Sequence, residues 1–174
     1  MKGSIIMSFK EIDSKELKFN PFTKISKDWM LITAGDKDKF NTMTASWGSL
    51  GELWGKDTVT VYIRQSRYTK EFVDANDTFT VSFFGEEYRK ALNICGTVSG
   101  RNTDKVKDAG LTPYFVDKTT AFEEASMVFV CKKMYHAEMP VLCFDAMEND
   151  AKWYPDKDYH TMYIAQIEKV LVRE

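Results

Sequence analysis

Thr58-Val59-Thr60-Val61-Tyr62-Ile63-Arg64 runs without a break into Gln65-Ser66-Arg67-Tyr68-Thr69-Lys70-Glu71-Phe72, and the fold turns on this stretch. Its first half alternates with a period of two: Val59, Val61 and Ile63 face one way, and Thr58, Thr60, Tyr62 and Arg64 the other. That is the pattern of a strand with one buried face. The second half predicts a helix through Ala75, capped by the Ser66 hydroxyl, which would accept a bond from a free first-turn amide. A strand that ends at a helix start brings unpaired amides and the positive end of the helix dipole together. Arg64 and Arg67 add fork-shaped donors to that place. The segment suits an anion; taken alone, its plainer reading is a capped helix beside two solvated arginines.

Outward from this stretch, the same two signals recur. Thr78 to Phe84 is the clearest alternating strand. Trp29 to Ala34 reads as a buried strand, Gly35 to Asp38 as a turn and Met43 to Trp47 as the returning strand of a hairpin. Gly48 to Gly55 is punctuated by glycine and reads as a loop. Asp13 to Phe19 predicts a helical turn that Asn20-Pro21 ends. Tyr88, Ala91, Leu92 and Cys95 fall on one face of a helix over Glu86 to Cys95. Thr103 or Asp104 caps a short helix to Ala109, which Gly110 stops. Met127 to Tyr135 and His160 to Val172 are strands, and Ala146 to Asp158 between them reads as a polar loop. Roughly six strands in antiparallel groups with three short helices predict a mainly β protein with peripheral helices, a small barrel and not a doubly wound sheet.

Composition narrows the function. The 174 residues fit one domain, 1–174, with 1–6 as an expected unstructured extension ahead of a start at Met7. A chain of this size buries roughly 70% of its unfolded surface, enough for a core without staples. The net charge of −2 gives no field that would recruit nucleic acid or a membrane surface. No apolar run approaches the roughly 20 residues of a membrane span. Cys95, Cys131 and Cys143 are odd in number and form no C-x-x-C pair, so reduced thiols in a cytoplasmic protein are expected rather than a disulfide framework or a zinc site. Aromatics make up 14% of the chain, which suits either an aromatic-rich β core or a pocket for a ring.

Two further patches carry candidate chemistry. In Asn41-Thr42-Met43-Thr44-Ala45-Ser46-Trp47, Thr42, Thr44 and Ser46 alternate as a polar stripe, the lining of a cleft or a solvated barrel face. Ser99-Gly100-Arg101, with Asp104-Lys105, sets two cations about a helical turn apart in a loop where glycine permits close backbone approach, although its plainer reading is a polar helix-entry loop. Hydroxyls, cations and the rings of Trp47 and Tyr68 in these segments suit a flat aromatic ligand that carries a phosphate. The only histidines, His136 and His160, stand at strand ends, where a lone histidine is usually a packed or surface residue, and the lack of spaced carboxylates argues against a metal enzyme. There is no G-x-G-x-x-G, so a dinucleotide could dock here only transiently and on another scaffold.

Taken together and in order, these segments resemble the flavin reductase-like proteins of the FMN-binding split-barrel superfamily, over about Phe22 to Leu171. The closing Tyr159-His160-Thr161-Met162-Tyr163-Ile164 also fits; Ala137 to Cys143 matches no family pattern. The resemblance implies a Greek-key antiparallel split β-barrel and a homodimer with FMN near its interface. Asn41 and Thr44, Ala45, Ser46 and Trp47 would lie along the isoalloxazine. Arg64, Ser66, Arg67, Tyr68 and Thr69 would hold the phosphate or ribityl chain, and Gly100, Arg101 and Lys105 would complete the anion site. Phe83, with His136 or His160, would flank the ring. The implied activity is an NAD(P)H-dependent FMN reductase with NAD(P)H as the transient donor. The alternative is a flavoredoxin-like FMN carrier. A protein electron acceptor or a monooxygenase would be the partner.

Overall fold

Residues 8–174 are described by a computed structural model, so the expected extension at 1–6 and the start at Met7 lie outside the described residues. Period-two patterning produces ten strands there: β1 (Phe9–Ile12), β2 (Met30–Gly35), β3 (Phe40–Ala45), β4 (Gly48–Leu53), β5 (Lys56–Arg64), β6 (Thr78–Phe83), β7 (Pro113–Val116), β8 (Thr119–Phe122), β9 (Met127–Glu138) and β10 (His160–Arg173). Seven run in the order β3-β2-β6-β9-β10-β5-β4, with all neighbours antiparallel. β10 binds β9 along one edge. Its other edge is shared by β5, opposite His160–Gln166, and β1, opposite Val170–Arg173. The β9–β10 register shifts after Ile164 and again after Ile167, irregularities of the kind that bend a long strand. β7 and β8 form a separate ribbon.

The bent sheet has two cores. Val59, Val61 and Ile63 point inward as their spacing predicts, and meet Met30, Ile32, Phe79, Val81, Phe83, Phe129 and Tyr163. On the other face, Leu31, Val128 and Val130 pack against Ala91, Leu92 and Cys95 and against Phe122 of the ribbon. The helices are peripheral: α1 (Pro21–Thr23), α2 (Tyr68–Ala75), α3 (Arg89–Thr97), α4 (Lys105–Asp108) and α5 (Met147–Trp153). Asp104 caps α4, and Gly110 follows it at φ +69°. No helix among the described residues is long and apolar enough to cross a membrane.

Several local expectations are corrected. Asn20-Pro21 begins a helix as well as ending one: the Asn20 side chain accepts from the amide of Phe22 at 3.0 Å, and Pro21 opens α1, where its missing N–H costs nothing. Gly48 to Gly55 is the edge strand β4 and a two-residue turn. Trp54 (φ +54°) and Gly55 (φ +70°) take the left-handed conformation that a tight hairpin demands. Ser66 does not cap α2; Arg67 occupies that position without a capping side-chain bond. Ala146 to Asp158 contains α5. The returning strand of the first hairpin starts earlier, at Phe40, and ends at Ala45, so Ser46 and Trp47 leave the sheet.

Candidate functional site

Where β3 ends, Ser46-Trp47 bridges to β4 and opens a cleft at the end of the sheet. β5 brings Tyr62 and Arg64 to it on its outward face, and β10 brings His160, in register with Arg64. A polar cavity of about 180 Å³ is lined by Met43 to Trp47, Tyr62, Arg64, Arg67 and His160. It adjoins an apolar cavity of about 770 Å³, walled by Phe22, Ile25, Leu50, Met139, Phe144, Trp153 and Tyr154. Ser46, Trp47 and Tyr62 line both. The Trp47 ring meets Trp153 edge-on at 5.1 Å and lies 5.2 Å from His160.

The cations at the polar end are held by backbone carbonyls. Arg67 donates to the carbonyls of Gly96 (2.8 Å) and Cys95 (3.4 Å), the unpaired end of α3, where a cation also meets the negative end of the helix dipole. Burial pushes its guanidinium pKa down and the nearby Asp158 pulls it back up. Lys105 caps the same end: its buried ammonium donates to Cys95 and Val98 carbonyls at 3.3 and 3.2 Å. Burial, with Arg67 beside it, drives that pKa down to about 8. Arg64 donates to the carbonyls of Asp158 (2.9 Å) and Trp153 (3.0 Å) and lies over the Tyr154 ring.

The residues singled out from the sequence fall into three sets. Thr44, Ala45, Ser46, Trp47, Arg64, Arg67 and His160 meet at the polar cavity. Asn41, Gly100, Arg101 and Lys105 gather instead at a neighbouring cavity of about 740 Å³. There Asn41 is buried and donates to the Thr69 hydroxyl at 2.8 Å. A Cβ on Gly100 would stand 2.1 Å from the Asn41 amide oxygen, so glycine is required at that approach. Arg101 pairs with Glu71 and lies over the Tyr68 ring at 4.5 Å. It also donates to the Ser66 carbonyl; Ser66, Tyr68 and Thr69 themselves line neither of these cavities. The third set is misplaced. Phe83 is fully buried, its ring 5.6 Å from Phe129, because its position on β6 faces the core. His136 stands opposite Tyr163, its ring stacked there at 5.9 Å. Tyr163 and His160 are three residues apart on one strand, so alternation puts His136 and His160 on opposite faces.

The polar stripe is also partly internal. The Thr42 hydroxyl bonds to Thr33 within the sheet, and the Thr44 hydroxyl donates to the Leu92 carbonyl of α3. Sequence reasoning missed Tyr62, although it shares the outward face of β5 with Arg64. It also missed Phe22, Phe144, Trp153 and Tyr154. The Trp153-Tyr154 pair inside an otherwise polar segment was the available signal.

His160 is buried, and its Nδ1 bonds to the Tyr154 hydroxyl at 2.7 Å. Burial, reinforced by Arg64, pushes its pKa down to about 4. The imidazole is therefore neutral at neutral pH. A depressed folded-state pKa means that stability is complete above about pH 6.5 and is lost as pH falls toward 4. Urea unfolding at pH 5 is expected to show about 2 kcal/mol less stability than at pH 7.5 from this group. His160→Gln should abolish that difference; an equal pH dependence in the variant would refute it.

A family model described as flavin reductase like domain matches residues 22–174. No curated protein matches the chain. Among solved structures, the chain is similar to an FMN-binding domain of a flavin reductases-like enzyme from Shewanella baltica OS155 (TM-score 0.70, 13% identity, covering 97% of this chain and 79% of that one). It is similar to the flavoredoxin of Desulfovibrio vulgaris (Miyazaki F) (TM-score 0.65, 22% identity, 99% and 76%). It is also similar to the styrene monooxygenase flavin reductase of Pseudomonas putida S12 (TM-score 0.60, 16% identity, 82% and 77%). The antiparallel sheet is the split barrel of these proteins. With a matching model over nearly all of its length, the chain belongs to the flavin reductase-like domain family.

Proposed function

We propose that this chain binds FMN across the two joined cavities and reduces flavin with NAD(P)H by hydride transfer to flavin N5. The observation that carries the reading is the join itself: a polar cavity with two arginines opens, past Trp47 and Tyr62, into a larger aromatic one. That gradient fits a nucleotide with an anionic end and a flat apolar ring. Arg67 and the amides at the start of α2 would hold the phosphate, with Arg64 and Ser66 beside them. Thr44 to Trp47 would run along the ring. FMN, when bound, supplies the hydride and electron chemistry.

The chain's own residues position, shield and neutralise. Trp47, Tyr62, Trp153 and Tyr154 exclude water from the ring side. Arg64 and Arg67 raise the potential at the polar end, which favours an anion. Neutral His160, tied to Tyr154, offers a hydrogen bond without adding charge. Phe22, Trp47 and Trp153 line the apolar cavity yet remain 82, 39 and 41% exposed. Exposed apolar groups around one opening suit cover by a second copy of the chain, and so a homodimer.

The likeness to a flavoredoxin over 99% of the chain favours one second reading, an FMN electron carrier between protein partners. One experiment separates the two. The visible spectrum of the FMN-loaded protein is recorded before and after anaerobic addition of NADH and then NADPH. Bleaching within seconds is expected, and a reduced-flavin-accepting monooxygenase would then be a fitting partner. Bands that persist for minutes would sink the reductase reading and leave the carrier. Failure to take up FMN at all would remove both.

A further inference from the structure

The arm formed by α5 and the turn to Tyr159 folds back toward the polar end of the cleft, and its last carboxylate sits on Ser66, in the turn between Arg64 and Arg67, which both line the polar cavity. One Asp158 oxygen accepts from the Ser66 amide at 3.0 Å and the other from the Ser66 hydroxyl. Arg64 fastens the same residue through its main-chain carbonyl at 2.9 Å. Arg67, the next residue after Ser66, feels the Asp158 charge. Arg101 donates to the Ser66 carbonyl but is paired with Glu71. Two donors that a ligand phosphate would use at this place are therefore already taken by a carboxylate of the chain itself.

We propose that Asp158 is a built-in counter-anion at the phosphate end of the site, and that it sets how strongly this chain prefers a phosphorylated flavin over an unphosphorylated one. This rests on the FMN reading above. A flavin phosphate carries close to two negative charges at neutral pH. It must displace the carboxylate from Ser66 or sit beside it, and in either case like charges oppose each other in a half-buried setting. Riboflavin has the same ring and no phosphate, so it meets no such opposition. Asp158 thus levels two ligands that Arg64 and Arg67 alone would separate.

The test is a fluorescence titration of the full-length, flavin-free protein with FMN and with riboflavin, at one ionic strength, for the wild type, Asp158→Asn and Asp158→Ser. Asparagine keeps the size and an acceptor for Ser66 but drops the charge; serine is the second variant should the first not fold. The ratio of riboflavin to FMN dissociation constants is expected to rise tenfold or more in the variants, with the riboflavin constant within threefold of wild type. A ratio that stays level or falls, in protein that still binds FMN, overturns the inference and leaves Asp158 as a fastener of the arm. Wild type that binds neither flavin overturns the FMN reading, and this inference with it.

Discussion

Arg67→Gln is expected to weaken FMN binding by about 10- to 100-fold while leaving riboflavin within about threefold. The guanidinium lines the polar cavity and is locked by carbonyls at 2.8 and 3.4 Å. Those two bonds use part of its five N–H donors and leave others for a ligand. A hydrogen bond to a charged group contributes about 1.5–3 kcal/mol, which is the expected loss in affinity. The substitution also removes a cap from α3, so stability should fall by about 1 kcal/mol. The comparison of the two flavins separates these effects, since a general loosening would weaken both alike. Equal losses for FMN and riboflavin would mean that Arg67 serves only the α3 end and that the phosphate lies elsewhere, with the Asn41–Gly100–Arg101 cavity as the next place to look.

Phe83→Ala should cost about 3–5 kcal/mol of stability, a large share of what a domain this size has. The side chain is fully buried against Phe129, with the Lys24 ammonium 5.5 Å from its ring centroid. Alanine would leave a cavity in the enclosed core that the rigid sheet cannot close. Urea denaturation measures the loss. FMN affinity is best measured in the milder Phe83→Leu variant and should lie within threefold of wild type. A stable alanine variant with FMN binding reduced tenfold or more would instead restore Phe83 to the ring pocket.

Phe83 and Lys105 show where reading the residues in order stops. Both sit in segments that the sequence marks correctly: an alternating strand and a capped helix. Yet an aromatic at a strand end looks the same whether it faces a core or a ligand. A lysine beside a glycine loop looks the same whether it awaits an anion or caps a helix. The carbonyls that hold Arg67 and Lys105 belong to Cys95, Gly96 and Val98, and for Arg67 they lie some thirty residues along the chain. Only packing brings them together.

What the sequence determined by itself is local and periodic. Alternation at Val59, Val61 and Ile63 set the inward face of β5, and the Tyr88-Ala91-Leu92-Cys95 spacing set the buried face of α3. The joint order of three polar segments marked the family. These signals are legible because backbone geometry ties side-chain direction to spacing along the chain. Tertiary structure alone decided which candidates share a cavity: that His160 and not His136 meets Trp47, that Phe83 belongs to the core, and that a segment read as a polar loop supplies Trp153 and Tyr154 to the cleft and sets Asp158 on Ser66 beside it. Those outcomes depend on strand register and on contacts between distant segments. A one-residue change of register would send every side chain to the opposite face, and composition alone carries no trace of which register is adopted.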